Sequence, residues 1–134
     1  MRGRARYRDK AGAERGQAMV EFVIVLPILC MLIFGIVQFG IAFNHYLTLT
    51  DSVRAGARKA AVSREAGDPV AAAVAQVRAS ATDLKQSNLT VTVTSSWTPG
   101  GDVTVTAKYP YEINIMGLVV RSGQLSSSTT ERVE

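Results

Sequence analysis

The sequence predicts a membrane-anchored α+β protein, in which a long N-terminal transmembrane helix precedes a small antiparallel sheet. Two observations support this fold class. Residues 22–50 contain no Asp, Glu, Lys or Arg, and residues 22–43 are almost entirely apolar. From residue 89 onward the spacing changes, because apolar side chains alternate with threonines instead of recurring every three or four positions.

The apolar run has the length of one membrane span. Residues 22–43 would extend roughly 33 Å at about 1.5 Å per residue, and a hydrocarbon core is about 30 Å thick. A secretory signal peptide fits less well, because its apolar region is shorter and no suitable small-x-small cleavage site follows this one. We therefore predict a transmembrane helix over residues 17–44 and one exported α+β domain over residues 45–134. So small a domain is expected to depend on the anchor helix or on neighbouring subunits.

The basic excess of the chain lies in its first sixteen residues. They contain six basic and two acidic side chains, which accounts for the whole net charge of +4. Arginines before a span fix its orientation by the positive-inside rule. Residues 1–16 are therefore predicted to be a disordered cytoplasmic leader, with the C-terminal domain outside the cytoplasm. Alternating arginines can also bind phosphates, but their position favours orientation, and nucleic acid is not an expected partner.

Glu21 stands at the head of the apolar run, where a carboxylate is unfavourable. Burial toward a helix centre costs roughly 2.5–3.5 kcal/mol on insertion scales and less near the interface. A solvated position among the lipid headgroups is one explanation. Its distance from Gly16 offers another: cleavage after Gly16 would make Gln17 the new N-terminus. The α-amino group of Gln17 would then lie one helical turn from Glu21 and could neutralise it, in the same chain or in a neighbour.

A glycine followed by four residues, a glutamate and an aromatic, at the start of a long apolar helix, resembles the processing motif of type IV prepilins. A longer pattern resembles the TadE-like family of tight-adherence (Tad) pilus assembly proteins over about residues 15–65. It comprises residues 16–22, Leu26-Pro27, Phe34-Gly35, Phe39-Gly40 and residues 55–58. Two positions depart from that family, which often has an acidic residue at Gln38 and a basic one at Ile41. If those charges pair with another pilin-like subunit, we expect a different partner here.

The resemblance implies a pilin-like fold and a role as a minor pilin or pseudopilin of a Tad-type (type IVc-like) pilus or secretion system. An aspartic prepilin peptidase would cut between Gly16 and Gln17. Glu21 and Phe22 would then serve assembly with other pilin-like subunits and the assembly machinery. The chain would reside in the bacterial cytoplasmic membrane or enter a surface pilus. Two alternatives stay open: an uncleaved signal-anchor protein whose domain binds an envelope partner, and an accessory subunit of a membrane enzyme.

The helix itself carries further candidate positions. A kink is predicted at Pro27, whose ring removes one backbone hydrogen bond. Beyond residue 43 the helix becomes amphipathic, with apolar positions at three- and four-residue steps: Tyr46, Leu49, Val53, Ala57 and Ala60. Charged or polar candidates for a subunit contact lie elsewhere on it, although a solvated surface is the simpler interpretation: Gln38, Asp51, Arg54 and Arg58. Small residues around Gly56 would let another element approach closely.

The remaining chain predicts one helix and two or three strands. Asp68 is a predicted N-cap and Pro69 a first helical residue, opening a helix over about 69–85. Alternating residues on either side of a turn at 98–101 predict a β-hairpin. Residues 113–120 are predicted as an apolar connection, such as a helical turn packed on the sheet or the bilayer. Residues 125–133 are predicted as a third strand.

The sequence offers no pattern typical of catalysis. It has one cysteine, Cys30, in the middle of the span and one histidine, His45, at the end of the span. Neither an intrachain disulfide nor a Cys-His or Ser-His-Asp arrangement in the exported domain is expected. The carboxylates are scattered without metal-ligand spacing. We therefore expect no enzymatic activity, no cofactor and no bound metal.

Overall fold

The computed structural model describes residues 5–115 and 117–134 and confirms the α+β class. Two helices precede three strands: α1 (Ala5–Ala61), α2 (Pro69–Ser80), β1 (Thr90–Ser95), β2 (Asp102–Ile115) and β3 (Leu118–Arg132). The chain divides into two compact units, Met1–Val37 and Gln38–Glu134. The first contains the N-terminal part of α1, and the second contains the rest of α1 with all the other elements.

Helix α1 is long and apolar enough, over Gly16–Ala61, to cross a membrane. The most apolar stretch has a mean hydropathy of 2.8, and none of it is buried inside the protein. Phe22 and Ile28, for example, are 60% and 64% exposed. Side chains this apolar are stable in such exposure only in lipid or against other subunits. Pro27 lies inside the helix, and the kink there stays a prediction.

The helix begins earlier than expected. Disorder was predicted throughout residues 1–16, but α1 starts at Ala5, so that prediction is wrong for residues 5–16. The first four residues of the predicted leader lie outside the described residues. The physical reason for the helix is composition, because alanine, arginine, lysine and glutamate, all strong helix formers, make up most of this segment.

The core of the second unit forms where α1, α2 and the sheet meet. The predicted apolar face of α1 is buried, except for Tyr46, which is 42% exposed. Fully or almost fully buried side chains come from all three layers: Leu49, Val53, Ala57 and Ala60 from α1, Ala73 and Val77 from α2, and Val103, Val105, Ala107 and Tyr109 from β2. The amphipathic continuation of the anchor helix is thus one wall of the core of the domain.

Helix α2 starts as predicted and ends earlier. The backbone N–H of Ala71 donates to Asp68 Oδ1 at 2.9 Å, which caps the helix, and Pro69 is its first residue. The helix stops at Ser80 rather than near residue 85. The side-chain amide of Gln86 donates to the Ala81 carbonyl at 2.9 Å, and Arg78 Nη1 donates to the Gln86 carbonyl at 2.9 Å. These bonds satisfy backbone groups that a longer helix would otherwise pair.

The sheet is an antiparallel meander in the order β1-β2-β3. The predicted hairpin is confirmed, with Val93 opposite Val105 and Gly100 at φ +73° in the turn. The predicted third strand is also confirmed, and it begins seven residues earlier, at Leu118 rather than at 125.

The helical turn predicted within residues 113–120 is wrong. Strand β2 continues to Ile115, and β3 starts again at Leu118 after Gly117, whose φ is +88°. The β-branched side chains of this segment favour a strand. Glycine adopts the left-handed turn conformation without steric cost. A second hairpin therefore replaces the predicted connection.

Gly56 allows α1 and α2 to pack closely, so we expect Gly56→Ala to destabilise the domain. A Cβ there would lie 2.2 Å from Val77 Cγ2 and 3.3 Å from the Ala73 carbonyl oxygen. Overpacking destabilises a core by about 1–3 kcal/mol. Replacing glycine by alanine stabilises a helix by roughly 1 kcal/mol, so the clash should outweigh this gain. Thermal unfolding of the full chain in detergent, followed by the fluorescence of the single tryptophan, Trp97, measures the change.

The double variant Gly56→Ala/Val77→Ala is the matched control for this prediction. Removing the Val77 methyl groups takes away the clash, so the two substitutions should be strongly non-additive. Additive losses would show that Val77 and Gly56 do not limit the approach of the two helices.

Candidate functional site

Gly16 occupies an interior position of α1 that does not need a glycine. A Cβ built there meets no atom within 4 Å, and glycine in a helix interior is about 1 kcal/mol less favourable than alanine. Within the described part of the chain, packing therefore gives no reason for a glycine at this position. This contrasts with Gly56, where packing excludes a side chain.

Gln17 and Glu21 are brought together one turn apart on α1. Gln17 Nε2 donates to Glu21 Oε1 at 3.2 Å, and Glu21 is exposed. Helical side chains lean toward the N-terminus, so the Glu21 carboxylate lies over the turn that contains Gln17. A charge created on the backbone nitrogen of Gln17 would arise in that same turn.

The helix surface next to this pair is apolar. Gly16, Val20 and Val23 follow one another at helical spacing and line a shallow surface groove with Met19 and Ile24. Phe22 is exposed on another side of the helix. The segment thus presents one polar pair, Gln17 and Glu21, on an otherwise apolar helix surface.

The candidate subunit contacts on the second unit are exposed but do not form one cluster. Asp51 Oδ1 and Arg54 Nη1 are 3.9 Å apart, with 78% and 65% of their side chains exposed. Arg58 lies in a separate shallow groove beside Gln76 of α2. Gln38 is half-buried. An exposed pair at this distance contributes little to stability, so these residues stay candidates for a contact with another subunit.

The small residues around Gly56 pack within the chain and not against a second subunit. They were predicted to let another element approach, and that element is α2 of the same chain. Gly56, Ala57 and Ala60 are buried in the core, with Val77 of α2 directly against Gly56. This surface of α1 is therefore occupied within the chain, and it is not available to a second subunit in this conformation.

His45 also packs inside the second unit. Its ring makes an edge contact with Tyr109, with ring centroids 5.5 Å apart. Among the described residues, no group of three or more His, Cys, Asp or Glu side chains could hold a metal ion. The structure therefore gives His45 a packing role.

The positions of Gly16, Gln17 and Glu21 at the head of an apolar helix can be compared with known families. Residues 16–58 match the TadE-like protein family. This match confirms the predicted resemblance over less than half of the chain, from the predicted cleavage position to Arg58. No curated protein and no solved structure matches the chain. The TadE-like segment, residues 16–58, thus includes the apolar run and the α1 side of the domain core, but not α2 or the sheet.

One feature of the second unit was missed at the sequence level. An apolar groove of about 440 Å³ lies between α1 and the β2–β3 hairpin. Its helix side is formed by Phe39, Ala42, Phe43 and Tyr46. Its strand side is formed by Tyr111, Ile113, Arg121, Gln124 and Leu125. The alternation of Tyr109, Tyr111, Ile113 and Ile115 could have indicated it, because it continues the pattern of β2 without a break.

We expect Asp51→Asn to leave folding stability unchanged within about 0.5 kcal/mol, because the residue is exposed and its ion pair is long. The measurement is thermal unfolding followed by Trp97 fluorescence. A larger loss would show that the Asp51–Arg54 pair is structural. Because stability is preserved, a loss of assembly in this variant would identify Asp51 as a subunit contact.

Proposed function

We propose that this chain is a minor pilin or pseudopilin of a Tad-type pilus or secretion system, cut by a prepilin peptidase between Gly16 and Gln17. The TadE-like match implies a role in Tad pilus assembly, in a family that is generally non-enzymatic. The observation that carries the finer proposal is the arrangement of Gly16 and Glu21. A glycine that packing does not require stands five residues before a carboxylate at the head of a membrane-length helix.

Cleavage explains the glycine at position 16. A peptidase must approach the scissile backbone closely, and a Cβ at that position would obstruct it. Gly16 also lies within a helix, so the local helix must open before the bond can enter an active site. Glycine lowers the cost of that opening by about 1 kcal/mol relative to alanine.

The basic leader sets the orientation in this proposal. Its excess of arginine keeps the N-terminus in the cytoplasm, where a cytoplasmic-side peptidase would meet the Gly16–Gln17 bond. The domain formed by α2, the sheet and the end of α1 is then outside the cytoplasm. The lipid bilayer, the peptidase and other pilin-like subunits are the proposed partners.

Glu21 acquires a partner through cleavage. The new α-amino group of Gln17 arises in the turn over which the Glu21 carboxylate already lies, and it would replace the neutral amide of the Gln17 side chain as partner. Pairing with an amine in the same chain or in a neighbouring subunit removes the cost of moving an unpaired carboxylate into lipid. We infer that this pair sets the register of the helices during assembly.

The first test of the proposal is the mature N-terminus. Mass spectrometry of the membrane-bound protein from cells with the peptidase should find a chain that starts at Gln17. Gly16→Ala should accumulate with its leader attached, while remaining resistant to carbonate extraction, because the added Cβ meets no atom in the protein. An intact leader on the unaltered chain would contradict processing and support an uncleaved signal-anchor protein. Normal cleavage of Gly16→Ala would contradict the role of the glycine.

The second test concerns the charge of Glu21. We expect Glu21→Ala to insert and to be cleaved normally but to be absent from sheared pili, as measured by immunoblotting of the sheared fraction. Glu21→Gln is the matched control, since it keeps the side-chain length and a hydrogen bond to Gln17 without the charge. Charge pairing requires that Glu21→Gln also fails to assemble. Normal assembly of either variant would refute the pairing role.

A further inference from the structure

We propose that the tip of the β2–β3 hairpin inserts into the outer interface of the bilayer that α1 crosses. The hairpin tip is defined here as residues 113–115 and 117–120. The inference rests on the membrane anchor of the proposed function, and it adds a second membrane contact made by the exported domain. The partner is a lipid surface, recognised by apolar side chains.

Within the second unit, β2 follows α1 back toward the apolar run. At one end, the Glu134 N–H donates to the Ala61 carbonyl at 3.1 Å, next to the residues that precede β2. Further along, Tyr109 contacts His45. Beyond that, Ile113 and Phe39 line the same groove. The strand therefore passes successively earlier residues of α1, and Ile113, the first residue of the hairpin tip, reaches the level of Phe39.

The hairpin tip exposes apolar side chains on each side of the ribbon. Leu118, Val119 and Val120 are 74%, 55% and 65% exposed. Leu118 is opposite Ile115 on one side, and Val119 is opposite Asn114 on the other. A hairpin that docked through one side would keep its other side polar, as strands at a protein surface do. Exposed apolar side chains at the end of the ribbon would be stabilised by contact with an apolar medium.

The side-chain oxygen of Asn114 in the tip is used internally. Asn114 Oδ1 accepts a hydrogen bond from the Gly117 N–H at 2.9 Å, which closes the turn. Residues 113–120 include no Asp, Glu, Lys or Arg. The first charged residues behind the tip are Glu112 and Arg121, both exposed and of opposite sign. Their charges cancel, so the insertion depends on apolar contact rather than on attraction to anionic headgroups.

Backbone hydrogen bonding limits the depth of insertion. Strand β1 pairs with β2 only as far as Lys108, so in the described part of the sheet residues 109–115 have β3 as their partner strand. The outer edges of this two-stranded ribbon carry unpaired backbone groups, which are not tolerated in a hydrocarbon core. The tip therefore lies at the boundary of headgroups and acyl chains, roughly 5–10 Å deep, where water still reaches the edges.

Aromatic and basic side chains lie next to the hairpin tip. Tyr46 and Tyr111 line the groove beside the tip, and Arg121 lies opposite Ile113. Tyrosine is enriched at membrane interfaces, and arginine can extend its charged group toward the phosphates while its stem contacts lipid. The ring of Tyr111 also covers Gly123, where a Cβ would lie 2.9 Å from Tyr111 Cε1. This stacking fixes the tyrosine at the base of the tip.

The test measures the depth of labelled cysteines in the full chain. In a Cys30→Ser background, Leu118→Cys, Thr94→Cys and Leu29→Cys each carry an environment-sensitive fluorophore. The proteins are reconstituted in vesicles of phosphatidylethanolamine and phosphatidylglycerol that contain lipids spin-labelled at shallow or deep positions. We expect the Leu118→Cys label to be quenched by the shallow spin label. The label at exposed Thr94, toward the other end of the sheet, should not be quenched.

The Leu29→Cys label separates failure of the anchor from failure of the inference. Deep quenching at this position shows that α1 crosses the bilayer, and its absence would refute the anchor and with it the proposed function. If Leu29→Cys is quenched while Leu118→Cys behaves like Thr94→Cys, the tip does not insert. A Leu118→Cys label shielded from both lipid and aqueous quenchers would also overturn the inference, because a second copy of the chain would then cover the tip.

A charge variant provides an independent check. With the label moved to Val120→Cys, the substitutions Leu118→Asp and Val119→Asp should abolish shallow quenching while Trp97 fluorescence shows an intact domain. Val62→Asp is the matched control, because Val62 is a comparably exposed apolar residue, at 58%, beyond the end of α1. It should leave quenching at Val120→Cys unchanged. Quenching that survives both charges at the tip would contradict insertion through these side chains.

Discussion

The close packing of α1 against α2 at Gly56 and Val77 is the contact on which the rest of the second unit depends. It lets a short helix of twelve residues lie on α1 tightly enough to bury its small apolar side chains. The sheet then completes the core by placing Val103, Val105 and Ala107 against the same cluster. A domain of this size buries little surface, and using α1 as part of its core supplies the missing layer.

That arrangement has a consequence for the position of the strands. Because α1 is both the apolar helix and a wall of the core, a strand that packs along its axis approaches the apolar run. Strand β2 does so in the direction that leads from Ala61 back to Phe39. A long β2–β3 hairpin on this axis necessarily approaches the residues that end the apolar run. The exposed apolar tip follows from the same packing as the buried core.

Local patterns of the sequence were sufficient for the elements that depend on neighbouring residues. The apolar run, the cap at Asp68 and the turn at Gly100 all follow from spacing over a few positions. The helix over residues 5–16 was missed although its cause is local composition; the other errors occurred where residues outside the local pattern decide. Helix α2 ends at Ser80 because Gln86 folds back to bond with Ala81, and the partner of the small residues around Gly56 is another part of the chain. Residues 113–120 have an apolar composition that fits a buried turn or a strand, and only pairing with β3 distinguishes the two.

The candidate site at Gly16 could be located from the sequence. Whether a glycine is packed against another element, as Gly56 is and Gly16 is not, could not be predicted from the sequence. Both lie in α1 and within the TadE-like segment, and spacing alone does not separate them. At Gly56 the protein itself excludes a side chain, so the residue is explained by folding. At Gly16 open space surrounds the position, and a helix would be more stable with alanine. Gly40 of α1 has equally open surroundings, so open space alone does not identify a functional glycine, and it is the position of Gly16 five residues before Glu21 that distinguishes it. Packing therefore explains Gly56 and does not explain Gly16, whose proposed processing is tested by the mature N-terminus.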